Sequence, residues 1–262
     1  MKQAQENPGY VDPRYLGILA EKLKPLKERS YALMHLEVGH RVLDVGCGHG
    51  TDTISLSQIV GSTGVVHGID YDVEMIEKAD QRAREAGVAD RIMHKQGDAM
   101  SLPYESDYFH SCRSERLFQH LSKPMHVLAE MFRVTRPGGW IVVLDTDHGS
   151  MSIDTVDIEM EWRLRRFRAD RLLNGYAGRQ LFGLYRQQKL EDIAIECFPI
   201  YVTDYVLGRY MAVMDETEKE AIAAGVVTKE DLRKMHEKLW RADKKGAFFG
   251  YEVMIMAAGR KP

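Results

Sequence analysis

The chain is poor in cysteine. Cys47, Cys112 and Cys197 are far apart and odd in number. No disulfide framework is implied, and a reducing compartment is expected. The ten histidines form no C-x-x-C or H-x-x-x-H pairing, which argues against a zinc or other metal site. No run of 18 apolar residues occurs, and the first residues lack the basic-then-apolar pattern of an export signal. A soluble, cytoplasmic protein with no membrane partner is expected. Positive charge is not in surplus, with 36 Lys and Arg against 39 Asp and Glu. No general nucleic-acid surface follows from that balance. Internal repeats and low-complexity segments are missing too.

What is present fits one domain of 262 residues, 44% of them hydrophobic. From Arg41 onward strand and helix signals alternate, the mark of a parallel sheet covered on both faces. Strands are expected at 41–45, 65–70, 91–96, 108–114, 140–146, 192–202 and 248–258. Residues 1–40 read as a helical leader. In it a helix over Pro13–Leu26 is interrupted at Pro25, and Lys27–Leu36 forms a second short helix. Tyr10, Tyr15 and Tyr31 suit a lid over a ligand, although plain packing helices fit equally well. The core takes 41–202 and 246–262, and residues 203–245 read as a helical cap insertion.

The chain is organised around Arg41-Val42-Leu43-Asp44-Val45-Gly46-Cys47-Gly48-His49-Gly50-Thr51. A short apolar strand, a glycine turn and a helix bring a ligand against bare backbone and unsatisfied N–H groups. The spacing is D-x-G-x-G-x-G. A dinucleotide turn, G-x-G-x-x-G, would carry its third glycine where Thr51 stands. Asp44 at the mouth would repel a pyrophosphate and suit a cationic ligand, which opposes an NAD-dependent oxidoreductase.

Downstream, Asp70 ends the second strand where a ribose hydroxyl pair would lie, and its carboxylate can accept both hydroxyls. Asp72 is the better helix cap. Tyr71 and Met75 are placed to pack on adenine. In Gly97-Asp98-Ala99, Asp98 can accept from an exocyclic amine and the Ala99 N–H can meet a ring nitrogen. Ser111-Cys112-Arg113-Ser114-Glu115-Arg116-Leu117-Phe118-Gln119-His120 forms the fourth strand and its exit, and Arg133-Val134-Thr135-Arg136-Pro137-Gly138-Gly139 a helix-to-strand junction. Arg113 is open to facing a substrate carboxylate or to pairing with Glu115.

In this order and register, residues 41–146 resemble the class I S-adenosylmethionine-dependent methyltransferases, closest to the ubiquinone/menaquinone-biosynthesis-type small-molecule subgroup. The resemblance implies an α/β, Rossmann-like doubly wound seven-stranded sheet with an antiparallel last strand. It implies S-adenosylmethionine as methyl donor, held by Asp44, Gly46, Cys47, Gly48, Asp70, Tyr71, Met75, Gly97, Asp98 and Ala99. Arg113 and Ser114 would lie beside the methionine part. The part after residue 146 becomes a substrate cap. The D/N-P-P-Y/F sequence of enzymes methylating amino groups of DNA or protein glutamine is missing, and so is an Asp-Asp-Asn metal set.

Methyl transfer needs mainly alignment, but a hydroxyl nucleophile must also lose its proton. His120, His148 and Asp147 are the candidate bases. Each also fits a bland role, His120 at a helix entry and Asp147 as a helix cap. Tyr205, Met211, Met214, Phe248 and Tyr251 line an apolar pocket or pack a core. The acceptor is expected to be a small, uncharged or weakly charged, partly aromatic molecule, methylated on oxygen, nitrogen or carbon. The alternative is an inactive methyltransferase-fold protein acting as a partner-binding or regulatory subunit. The sequence leaves the oligomeric state, a homodimer included, open.

Overall fold

The structure, a computed structural model, describes residues 13–155 and 157–262, with side chains from residue 21 onward. Tyr10 and the side chain of Tyr15 therefore lie outside the described residues. Five strands run parallel: β1 (Arg41–Val45), β2 (Val65–Asp70), β3 (Ile92–Gln96), β4 (Phe109–Glu115) and β5 (Thr135–Ile153). β7 (Gly250–Arg260) lies antiparallel between β5 and β6 (Glu191–Val202). The sheet order is β3-β2-β1-β4-β5-β7-β6. This is the seven-stranded Rossmann-like sheet with an antiparallel last strand. Val42, Leu43 and Val45 of β1 have no exposure, because helices cover both faces; a central strand therefore reads as a nearly unbroken apolar run. α2 (Thr51–Val60) follows the glycine turn, and α3 (Val73–Glu85) is capped by Asp72, whose carboxylate accepts the Glu74 N–H at 2.8 Å.

Two elements depart from the sequence expectation, and a third is helical as expected but more finely divided. The leader is a single helix, α1 (Pro13–Ala32), which runs through Pro25. A proline inside a helix costs about 3 kcal/mol. Burial of Leu23 and Leu26 on one face, continued by Leu33 and Met34 just beyond the helix, and the polar anchoring described below offset that cost.

Next, the Arg136-Pro137-Gly138-Gly139 stretch is a bulge inside β5 rather than a turn before it. The pairing with β4 shifts between Thr135 and Trp140. Gly138 takes φ +76°, a left-handed conformation natural to glycine, and its N–H bonds the Lys261 carbonyl at 2.8 Å. At its other end β5 stays paired with β7 as far as Ile153. Asp147 and His148 are thus strand residues. The helices that flank this region are α4 (Pro124–Val134), α5 (Ile158–Arg171) and α6 (Ala177–Gln187).

Finally, the segment after β6 is three helices, α7 (Tyr205–Met211), α8 (Met214–Ala223) and α9 (Lys229–Lys244). Left-handed residues break it at Val213 and Gly225. Their apolar faces form one buried cluster with Met151, Met160, Leu164 and Phe248. β6 runs parallel to β5, so α7 leaves the sheet at the carboxyl edge, where ligands bind in open α/β sheets. Among the described residues no helix is long and apolar enough to cross a membrane.

Candidate active site

The glycine turn follows β1 with Gly46, Gly48 and Gly50 all at positive φ. The N–H groups of Gly46 and Cys47 bond the Ile69 carbonyl at 2.7 and 3.0 Å, which pins the turn to β2. Two of the glycines do different work. A Cβ on Gly50 would meet the Ala79 Cβ at 2.9 Å, so that position lets α2 and α3 close together. A Cβ on Gly48 would meet nothing within 4 Å. Bare backbone there faces open space, as a cradle for a ligand requires.

The Asp70 carboxylate sits beside that cradle. Its Oδ2 accepts the Gly48 N–H at 2.8 Å and its Oδ1 the Asp72 N–H at 3.0 Å. Both oxygens keep spare lone pairs for a diol. The Gly97 N–H bonds the Asp70 carbonyl at 2.9 Å, so the β3 exit joins the same edge. Asp98 is exposed, with Oδ1 accepting the Met100 N–H at 2.8 Å. Ala99 and Met75 are half-buried and Tyr71 is exposed. The structure thus gathers Gly46, Cys47, Gly48, Asp70, Gly97, Asp98 and Ala99 along one rim.

Asp44 and Arg113 are not on that rim. Asp44 is buried below it, with Oδ1 3.3 Å from Arg113 Nη1. The Arg113 side chain is fully engaged: Nε donates to Ser30 Oγ at 3.0 Å, Nη1 also approaches Asp52 at 3.3 Å, and Nη2 bonds Glu115. Of the two roles open to it, Arg113 takes the pairing with Glu115. α1 contributes Lys27, 2.7 Å from Asp52 and 2.9 Å from Glu115, and Tyr31, whose hydroxyl donates to Asp52. Burial pushes the Asp44 carboxyl up to about 7 against the pull of Arg113. Burial would raise Asp52 and Glu115 as well, but Arg113 and Lys27 hold both below the usual carboxylate range. The neighbouring Ser114 is buried, and its hydroxyl has no hydrogen-bond partner among the described residues.

These residues fit S-adenosylmethionine. The open side of Gly48 leaves room for it, Asp70 can hold a ribose, and the cluster beneath, with carboxylates Asp44, Asp52 and Glu115 against cations Lys27 and Arg113, is net negative once Asp44 is ionised.

A cavity of about 490 Å³ opens next to the β4 exit, under α7, α8 and α9. Arg116 begins that exit with φ +53°, its N–H held by the Leu144 carbonyl at 2.8 Å. Gln119 and His120, in the short 3-10 turn Phe118–His120, line the cavity. So do Thr146 and His148 of β5. Strand alternation sends Asp145 and Asp147 to the other face. Asp147 there accepts from Arg179 Nε of α6 at 2.8 Å, so the structure separates it from the two histidines. His148 Nδ1 lies 2.9 Å from Glu252 Oε1 and Nε2 lies 2.5 Å from Gln119 Oε1. Glu252 also accepts from Arg168 at 2.6 Å. Burial raises the Glu252 carboxyl, but His148 and Arg168 outweigh it and hold the group below its ordinary value. Desolvation, with the charges of His148 and Arg116, lowers the pKa of His120.

Sequence reasoning missed Lys27, Asp52, Gln119, Arg168 and Glu252. Two of these left a signal. Lys27 and Tyr31 stand one helical turn apart on α1, and Glu252 is the one acidic residue of the mainly apolar β7.

A family model for a methyltransferase domain matches residues 36–192. The chain is 36% identical over 136 residues to methyltransferase GfsG of Streptomyces halstedii, covering 52% of this chain and 48% of that one. It is 32% identical over 126 residues to the demethylmenaquinone methyltransferase of a Geobacillus species, covering 48% and 53%. The chain thus spans about half the length of the curated relatives it matches. Among solved structures, the YcgJ protein of Bacillus subtilis superimposes with a TM-score of 0.63 at 20% identity, covering 92% of this chain and 99% of that one.

Proposed function

Because the chain belongs to the methyltransferase-domain family, we propose that it transfers a methyl group to an oxygen, nitrogen or carbon atom of a small organic molecule held in the cavity. The methyl donor is S-adenosylmethionine. When bound, this cofactor supplies a methyl group already activated by its sulfonium. The observation that carries the reading is the open, ligand-ready side of Gly48 beside Asp70, on the sheet edge that also holds the cavity.

The chain's own residues have three tasks. Asp70 and the Gly46–Gly50 backbone bind and orient. The Met- and aromatic-lined walls under α7–α9 exclude water and align the acceptor, which is most of what an in-line displacement needs. His120, kept neutral near pH 7 by its lowered pKa, can take a proton from an acceptor hydroxyl or amine; His148, held by Glu252 through Nδ1, can do so only once its Nε2 leaves Gln119 Oε1.

Calorimetry with S-adenosylhomocysteine tests the reading. Wild type binds it and does not bind NAD. Asp70→Ala weakens binding by about 1–3 kcal/mol, the scale for losing charge-assisted hydrogen bonds. Unchanged affinity in that variant removes Asp70 from the site. Methyl transfer from labelled cofactor to a panel of small molecules then separates an enzyme from an inactive relative of the fold.

A further inference from the structure

Four arginines, Arg116, Arg168, Arg171 and Arg209, line a cavity whose walls are otherwise mainly apolar. Two of them are neutralised by carboxylates that also line it. Arg168 pairs with Glu252 at 2.6 Å and Arg209 with Glu218 at 2.7 Å. Arg171 is paired as well, with Glu220 at 2.6 Å, and donates to Thr217 Oγ1 at 3.0 Å. The fourth is not so paired. Arg116 has one loose contact, Nε to Glu115 Oε1 at 3.4 Å. That carboxylate is already shared by Lys27 and Arg113. Both Nη groups of Arg116 are without a hydrogen-bond partner among the described residues.

The Asn174 N–H bonds the Gln119 carbonyl at 3.0 Å, which ties the end of α5 to the turn that follows Arg116. The positive charge there is felt by its neighbours, since Arg116 and His148 both oppose protonation of His120. The Arg116 backbone is fixed: a residue with φ +53° at a strand end is over-determined by its surroundings, and the N–H bond to the Leu144 carbonyl supplies that. A guanidinium with a free fork at the end of an apolar cavity can take an oxyanion in two parallel hydrogen bonds.

We infer that the acceptor is an amphiphilic anion, with an apolar body inside the cavity and a carboxylate or phosphate on Arg116. This rests on the methyltransferase reading and narrows its substrate class. It departs from the uncharged acceptor that the sequence suggests. Only the fold brings Arg116 to the end of this cavity.

The test uses decanoate, decyl phosphate and 1-decanol as probes, with the protein saturated in S-adenosylhomocysteine. Decanoate or decyl phosphate should bind on the order of tenfold more tightly than decanol, and which one leads identifies the anion. Arg116→Met should abolish that preference, and Arg116→Lys should keep part of it. Neither should change the affinity for S-adenosylhomocysteine or the melting temperature. Equal binding of acid, phosphate and alcohol, or binding of none of them, overturns the inference. Loss of S-adenosylhomocysteine binding in Arg116→Met also overturns it, because Arg116 would then hold the cofactor's own carboxylate. Failure of wild type to bind S-adenosylhomocysteine counts against the methyltransferase reading itself, whatever the probes do.

Discussion

Arg113 on β4 and Asp44 on β1 meet inside the sheet, 3.3 Å apart, with side chains 1% and 2% exposed. The pair sits directly beneath the glycine turn. Removing the cation strands buried carboxylates. Arg113→Met should therefore cost about 3–5 kcal/mol of stability, the range for breaking a buried ion pair from one side. The loss should be larger at pH 8 than at pH 5, since Asp44 takes up a proton at the lower pH. Denaturant titrations at both pH values check it, and a loss below 1 kcal/mol at pH 8 would show the cluster to be dispensable.

The raised pKa of Asp44, about 7, links protons to both stability and ligand binding. Its folded value lies above its unfolded one. The stability it contributes is therefore full at low pH and is lost as pH rises from the usual carboxylate range through about 7. Asp44→Asn cannot ionise and should lose less stability than wild type between pH 5 and pH 8. A cationic ligand favours the ionised form, so binding of S-adenosylmethionine should tighten through pH 7 with release of a proton. Calorimetry in buffers of different ionisation enthalpy measures that proton, and Asp44→Asn should release less of it.

Gly48→Val separates folding from binding. Nothing lies where its Cβ would go, so the fold should survive, at a strain of about 1–2 kcal/mol for a side chain at positive φ. The side chain would fill the cradle, and S-adenosylhomocysteine binding should fall at least about a hundredfold. A variant that melts near wild type and binds as wild type does would move the cofactor site elsewhere.

His148 and Glu252 should act together. His148→Gln should lower kcat by about 10²-fold or more if it takes the acceptor proton. Glu252→Gln, which leaves the ring without its carboxylate, should lower kcat less. Both should bind S-adenosylhomocysteine normally. If only His120→Ala lowers kcat, the exposed histidine is the base and His148 is part of the wall.

Most of the sheet and the glycine turn at its edge could be read from the sequence, because both are local. A strand, its turn and the next helix cap lie within about ten residues, and Asp72 was separable from Asp70 on that basis. Of the buried cluster only the Arg113–Glu115 pairing could be read. The rest joins α1, β1, α2 and β4, and Lys27 and Asp52 alone look like ordinary surface charges. The length of β5 was hidden for a related reason. Gly138 and Gly139 signal a turn, yet the pairing that absorbs them comes from Lys261, far along the chain. Asp147 and His148 looked equivalent as neighbours, whereas strand alternation puts them on opposite faces.

The length of β5 also bears on how this protein could be recombined. A chimaera that exchanged only the helices between Val202 and Gly250 would carry over α7, α8 and α9. It would leave behind Thr146, His148 and Met151 on β5 and Glu252 and Met254 on β7. The donor's substrate preference would arrive on a floor shaped for another molecule. Transplanting selectivity therefore calls for grafting the outer half of β5, α5 and the first half of β7 together with the helices.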